Sequence, residues 1–204
     1  MARLIVFEGI DGSGKTSLSK LFHAHLLANS VPTVWLREPT DSALGMKIRR
    51  LAQDRESLSI EEELELFIQD RRWDVETNIL PALRTGKTVV MDRYYYSNAC
   101  YQGARGLDMD DILRTNREFA PEPDIVFIID VDVDRALARI ISARQGMARL
   151  FEKKGFLTMV RSNYLKLDGK NLVRIDGNPG LESVMKDVLD RYRELGGSQA
   201  PARK

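Results

Sequence analysis

Cysteine is nearly absent from this chain of 204 residues: Cys100 stands alone, so no internal disulfide can form and a cysteine-built metal centre is excluded. Histidine is almost as scarce. His23 and His25 lie two apart on a predicted helix and diverge by about 200° of rotation, which is wrong for shared metal ligation. Both read as surface or packing residues. A surplus of charge is missing too, with 31 basic against 30 acidic residues and a net charge of +1. No overall field then draws the chain to nucleic acid or to an anionic membrane, and a small ligand is expected. No apolar run approaches the roughly 20 residues that span a bilayer, and the N-terminus enters a strand at once without a signal-peptide pattern. These absences point to a cytoplasmic protein with neither nucleic acid nor membrane as partner. No N-K-x-D guanine-reading motif occurs either, which argues against a GTPase switch. There is no internal repeat and no linker to separate two domains.

What the chain does contain is concentrated near its start. Leu4 to Phe7 form an apolar run that breaks into Gly9-Ile10-Asp11-Gly12-Ser13-Gly14-Lys15-Thr16, followed by Ser17. The segment fits G-x-x-x-x-G-K-[ST] at every fixed position. Glycines let the backbone turn tightly and aim successive N–H groups at phosphate oxygens, Lys15 reaches the β and γ phosphates, and Thr16 offers a hydroxyl to Mg²⁺. Residues Gly9 to Ser17 are therefore the candidate cradle for a nucleoside triphosphate with its Mg²⁺. Leu18, Leu21, Phe22, Leu26 and Leu27 recur at helical spacing after the loop, so it joins a strand to a helix.

With 43% hydrophobic and 30% charged residues, the chain can bury the core of one domain. Strand-like runs recur at 4–8, 33–36, 88–91, 125–129 and 171–175, separated by helical patterns. That alternation predicts an α/β fold of three layers and P-loop NTPase type: a five-stranded parallel sheet flanked by helices on both faces. Ser59 and Glu62 read as a capping box opening a helical segment from about Ile60 to Arg84, which Pro81 kinks or divides near Leu80. Asn178-Pro179 suits the cap and first position of a final helix. The domain spans residues 1–195, and the segment 196–204, GGSQAPARK, reads as a flexible tail.

Ligands of open parallel sheets gather at the carboxyl ends of the strands. Asp11 follows the first run there, Arg37-Glu38-Pro39-Thr40-Asp41-Ser42 the second, Asp92-Arg93-Tyr94 the third and Asp130-Val131-Asp132 the fourth. Positioning and positive charge are what phosphoryl transfer asks for, and Lys15, Arg37, Arg93 and Mg²⁺ supply both.

Arg37-Glu38-Pro39, the segment from Leu66 to Arg71 (LFIQDR), and the segment from Asp92 to Gly103 (DRYYYSNACYQG) resemble, in order and spacing, the signatures of the thymidylate kinase family, over about residues 4 to 195. The resemblance implies transfer of the ATP γ-phosphoryl group to dTMP, giving dTDP and ADP, by a homodimer. It implies that Phe67 stacks on thymine, that Arg71 and Asn98 bond the base edge with Gln102 beside them, and that Tyr101 lies against the deoxyribose. Asp11 accepts from the 3′-hydroxyl, Arg37 and Arg93 clamp the acceptor phosphate, and Thr16 and Asp92 hold the metal. By residue pattern alone each keeps an alternative. Phe67 shares a helical stripe with Leu64 and Ile68 that equally describes a core aromatic. Arg71 fits a solvated helix face, Tyr101 a packed ring, Asp11 a residue of loop geometry, and Arg37 and Arg93 surface ion pairs. Asp130 also ends an apolar run and competes with Asp92 for the metal, although a turn and helix cap suit Asp130 and Asp132 better. The family also suggests a cis bond before Pro39, against an ordinary trans turn.

Residues 142–152 resemble the family's lid over the ATP phosphates, with Arg144 and Arg149 as its catalytic cations. The family's aspartate before the second arginine is Ala148 here, and a phosphate-loop arginine found in one subgroup is Gly12. A charged helix connection is the alternative at the lid. Two rival functions remain: another nucleoside or nucleoside-monophosphate kinase, and a nucleotide-binding regulatory protein without turnover.

Overall fold

The computed structural model describes residues 2–54, 58–143 and 150–196. Its parallel sheet contains β1 (Leu4–Glu8), β2 (Thr33–Arg37), β3 (Thr88–Asp92), β4 (Ile125–Asp130) and β5 (Leu172–Asp176), in the order β2-β3-β1-β4-β5. In register, β1 sets Val6 beside Met91 on one flank and beside Val126 on the other. The predicted runs mark these strands to within about one residue because they are short, continuous and β-branched, as strands covered on both faces must be.

Period-two alternation divides their side chains between two cores. Leu4, Val6, Met91, Val126 and Ile128 face one, packed with Tyr94, Tyr95 and Cys100. Ile5, Phe7, Val90, Phe127 and Ile129 face the other, against Leu18 and Phe22 of α1 (Lys15–Ala28) and Val184, Val188 and Tyr192 of α9 (Leu181–Glu194). There the Phe22 ring lies 5.5 Å from Phe7 and 5.0 Å edge-on from Tyr192. Between them run α2 (Ala43–Asp54), α3 (Ile60–Asp74), α4 (Leu80–Arg84), α5 (Tyr95–Gly103), α6 (Met109–Arg117), α7 (Val133–Ala143) and α8 (Leu150–Lys166).

The capping box is present at the start of α3. Glu62 N–H donates to Ser59 Oγ at 3.1 Å, and Ser59 N–H to Glu62 Oε2 at 2.8 Å. Of two other boundaries, one meets expectation and one differs. The helical segment is interrupted ahead of Pro81: it widens into π-helical turns over Val75–Ile79 and resumes as α4 at Leu80. Pro81 lacks an N–H and its ring crowds the preceding turn, and the wider turns ahead of it accommodate both defects. The final helix starts at Leu181 with Gly180 as its cap. Asn178 is engaged elsewhere, its side-chain carbonyl accepting from Asp132 N–H at 3.0 Å.

Phe22 is fully buried among three aromatic rings. Phe22→Ala is expected to lower stability by about 3–5 kcal/mol, read as a lower urea midpoint at unchanged slope.

Candidate active site

The loop between β1 and α1 bends through three left-handed or extended glycines, Gly9, Gly12 and Gly14 (φ +143°, +80° and +93°). At Gly12 the requirement is steric as well as conformational, since a Cβ there would lie 2.3 Å from the Ala136 carbonyl oxygen. No side chain fits at this position in this conformation, so position 12 cannot carry an arginine here. Lys15 opens α1 almost completely buried, its Nζ donating to the Ile10 carbonyl at 3.2 Å and lying 3.9 Å from Asp11 Oδ1. Burial pushes its ammonium down to about 8, reinforced by Arg93 and opposed by Asp11, Asp92 and Glu8.

Arg93 occupies the left-handed region at φ +73°, a conformation a bulky residue rarely adopts and that the surrounding bonds must hold. They do so on both sides. Arg93 N–H donates to the Phe7 carbonyl at 3.0 Å, extending the β3–β1 ladder, and Tyr94 N–H then turns to Glu8 Oε1 at 2.8 Å. The chain thus leaves β3 for α5 with the Arg93 guanidinium aimed at the loop. It bonds Asp11 Oδ1 and, at 2.9 Å, Ser97 Oγ, and it stands 5.0 Å over the Tyr101 ring. Tyr101 Oη accepts from Asp11 N–H at 2.9 Å, and its hydroxyl is pushed up to about 12, chiefly by burial. Burial also acts to raise the Asp11 carboxyl, but Arg93 and then Lys15 outweigh it and hold it below its ordinary value.

Glu8, at the end of β1, was not singled out by motif. Its buried carboxylate accepts from Tyr94 N–H, Ser97 N–H, Ser97 Oγ and Tyr164 Oη at 2.6–3.1 Å. Two of these are backbone donors at the start of α5, so Glu8 caps a helix that has no side-chain cap of its own. Burial raises its carboxyl above the usual value, against the Arg93 charge and these donors.

A cleft of about 490 Å³ lies over the loop, lined by Asp11, Gly12, Gly14, Lys15, Thr16 and Ser17, and by Arg93, Arg139, Ile140 and Lys153 from the later elements. Arg139 and Lys153 carry no sequence motif; they reach the cleft from α7 and α8 through the fold alone. Thr16 Oγ1 donates to Asp92 Oδ2 at 2.6 Å, while Asp92 Oδ1 is buried without a hydrogen-bond partner among the described residues. An orphaned carboxylate oxygen beside a hydroxyl is a hard-oxygen donor set that fits Mg²⁺. Asp130, the competing carboxylate, is taken by Arg161 at 2.6 and 3.0 Å.

The residues expected around a base form a second group beyond Tyr101. Arg71 is buried, bonds Glu38 through Nε and Nη2, and donates to Asn98 Oδ1 and Asn116 Oδ1, each at 2.6 Å. Burial drives the Glu38 carboxyl upward and the Arg71 charge opposes it. Asn98 donates to Gln102 Oε1 at 3.3 Å, and Gln102 to Glu63 Oε1 at 3.1 Å. Phe67 is half-buried and packs into neither core cluster. Arg37 does not line the phosphate cleft: it pairs with Asp41 at 2.6 Å beside a separate cavity that also touches Trp35 and Trp73. The Glu38–Pro39 bond is cis. Arg144, Arg149 and Ala148, on which the lid expectation rests, lie outside the described residues, as does the tail from residue 197.

A glycine-built loop between the first strand and first helix of a parallel sheet, a buried lysine in it, and a threonine–aspartate pair beside it define a P-loop nucleotide-binding α/β protein. The family model described as Thymidylate kinase matches residues 7–188, and the chain belongs to that family. It is 43% identical to a probable thymidylate kinase of Archaeoglobus fulgidus, over 91% of this chain and 92% of the relative. It is 37% identical to the thymidylate kinase of Desulfotalea psychrophila over 95% of both, and 42% identical to that of Akkermansia muciniphila over 91% of this chain and 89% of the relative.

The lowered Lys15 value has a kinetic consequence. An ammonium expected from the motif to meet phosphate is lost as pH rises through about 8, so kcat/KM for the nucleoside triphosphate, which reports the free protein, should fall about tenfold per pH unit above that point. A kcat/KM profile flat to pH 9.5 would contradict it.

Proposed function

We propose that the chain is an ATP-dependent dTMP kinase, which moves the γ-phosphoryl group of Mg-ATP to the 5′-phosphate of dTMP and releases dTDP and ADP. The observation that carries this reading is the meeting of Asp11, Lys15 and Arg93 in one cleft above the glycine loop. The triphosphate lies along Gly9 to Ser17, with Lys15 on its β and γ phosphates. Thr16 and Asp92 would hold Mg²⁺, which neutralises phosphate charge when bound. The acceptor is a phosphate oxygen already anionic at neutral pH, so no strong general base is needed, and placement with charge neutralisation carries the rate.

Arg93 takes the acceptor phosphate. Arg37 joins it by leaving Asp41, an exposed pairing worth at most about 1 kcal/mol that a dianionic phosphate readily replaces. Asp11 receives the 3′-hydroxyl, and Tyr101 crowds the position of a 2′-hydroxyl. Phe67, free of both cores, stacks on thymine, and the Arg71–Asn98–Gln102 row meets the base edge. Residues 1–195 act as one kinase domain, the lid arginines Arg144 and Arg149 complete the charge around ATP, and the reaction belongs to the cytoplasm. Among the described residues no helix is long and apolar enough to cross a membrane.

The test is turnover with Mg-ATP and dTMP, dUMP, dGMP, dCMP, AMP or thymidine in turn, reading ADP and the phosphorylated product. dTMP should dominate. In Phe67→Ala, kcat/KM for dTMP should fall by about 5- to 150-fold, as loss of a stacked base contact of about 1–3 kcal/mol implies, with KM for ATP unchanged. Equal turnover of all acceptors, or an unaffected Phe67→Ala, would reject the thymine pocket; binding of ATP without transfer to any acceptor would favour a regulatory protein.

The same reading makes the chain a homodimer through helices on one side of the sheet. Met46 and Trp73, on the neighbouring helices α2 and α3, are large and exposed. Sedimentation at micromolar concentration should give twice the mass of the chain, and a monomer there would refute it.

A further inference from the structure

Helix α8 is fixed to the sheet and to α5 from several directions. Tyr164 bonds Glu8 at 2.8 Å, Arg161 bonds Asp130, and Asn163 donates to the Cys100 carbonyl at 3.0 Å. Its inward stripe contains Tyr164, Val160 and Leu157, all buried. Continued by one turn at helical spacing, that stripe reaches Lys153. An apolar residue would extend the core there, yet the position carries an ammonium, and it lines the phosphate cleft. The next lysine points elsewhere, since Lys154 pairs with Asp134 at 2.6 Å. Lys153 has no ion pair among the described residues.

Charge balance in the cleft makes this placement informative. Among the described residues Lys15, Arg93, Arg139 and Lys153 line it, against Asp11 as the single acid. Cations gathered in one concavity repel one another and raise the local concentration of anions. The charge of Lys153 also falls on Asp11, whose carboxyl it helps to hold down. Asp11 in turn bonds Arg93 and lies near Lys15, so Lys153 faces the space between the residues assigned to donor and acceptor. Beyond Lys15, position 12 of the loop cannot add a cation there, because Gly12 has no room for a side chain.

We propose that Lys153 is a catalytic residue of the transfer, its ammonium neutralising the equatorial oxygens of the phosphoryl group in flight. This rests on the dTMP kinase reading. In the step, an oxygen of the 5′-phosphate forms a bond to the γ-phosphorus of ATP. The bond from that phosphorus to the β,γ-bridging oxygen breaks, its electron pair stays with ADP, and no proton moves. Charge spreads over the three remaining oxygens as the bonds exchange, so the contact strengthens in the transition state and acts on kcat.

Lys153→Met keeps the stem and removes the charge, and Lys153→Arg restores a cation. With saturating Mg-ATP, Lys153→Met should lower kcat on dTMP by about 100-fold with KM for dTMP unchanged, and Lys153→Arg should recover most of that loss. A lysine that only packs α8 would instead lower thermal stability and leave kcat in place. A kcat within about threefold of the parent, or a loss confined to KM, would overturn the proposal. A second measurement needs no turnover: calorimetric affinity for ADP and for the β,γ-imido analogue of ATP. Lys153→Met should weaken the analogue about tenfold and leave ADP unchanged, whereas equal effects on both would overturn the γ-phosphate assignment. A parent protein silent with every acceptor would overturn the kinase reading alone, and the affinity comparison would still judge Lys153.

Discussion

The carboxylate of Glu8 is the tie on which the cleft depends. It stands at the end of the central strand, immediately before the glycine loop, and four donors from α5 and α8 converge on it. A buried acid is costly unless its oxygens are satisfied, and here satisfying them fixes two separate helices to one strand end. The start of α5 receives its cap, Ser97 is held where Arg93 bonds it, and α8 is drawn across the sheet by Tyr164. Arg93 can remain in a left-handed conformation because Phe7 and Glu8 hold the backbone immediately on either side of its turn. Strain at the site is thus supported by the strand that also presents the loop.

How far the sequence foretold the molecule follows from the range of the forces involved. The strands were legible because their signal is local, an unbroken apolar run in each case. The capping box at Ser59 was legible for the same reason. The start of the last helix was misplaced because Asn178, a good cap by type, satisfies a backbone N–H on a different strand-end loop. Pro81 announced a defect in its helix but not the π-helical turns that absorb it. Glu8 is invisible to pattern reading, since its partners lie 86 to 156 residues away. Lys153 and Arg139 also look like ordinary charges on helices until the fold brings α7 and α8 over the loop. At Asp92 and Asp130 the sequence offered two carboxylates at equivalent strand ends, and Arg161 separates them by occupying one.

The two halves of the site are built by opposite electrostatic means. Over the loop, cations outnumber acids and several remain accessible, which suits a region that receives and releases highly charged phosphates. Beyond Tyr101, charge is buried and matched: Arg71 is enclosed by Glu38, Asn98 and Asn116. A buried arginine engaged in this way is rigid, and removing one partner would leave an uncompensated charge. On the proposed reading, such a network gives the base pocket its shape more than its strength. Under that reading, affinity on that side comes from surface removed from water, the role given to the half-buried Phe67.

This division has a consequence for discrimination among acceptors. A pocket read by hydrogen bonds loses much when a partner is missing, whereas one read by shape separates substrates differing by a methyl group only modestly. Thymine and uracil differ by such a group and share their base-edge hydrogen-bonding pattern. On the proposed reading, the network around Arg71 cannot tell them apart by donors and acceptors, and preference for dTMP over dUMP arises from how closely the half-buried surface near Phe67 meets the methyl. Purine and cytosine acceptors face a different test, because they change the outline or the bonding pattern that the fixed row from Arg71 to Gln102 presents. Discrimination should accordingly be steep against those bases and shallow against uracil.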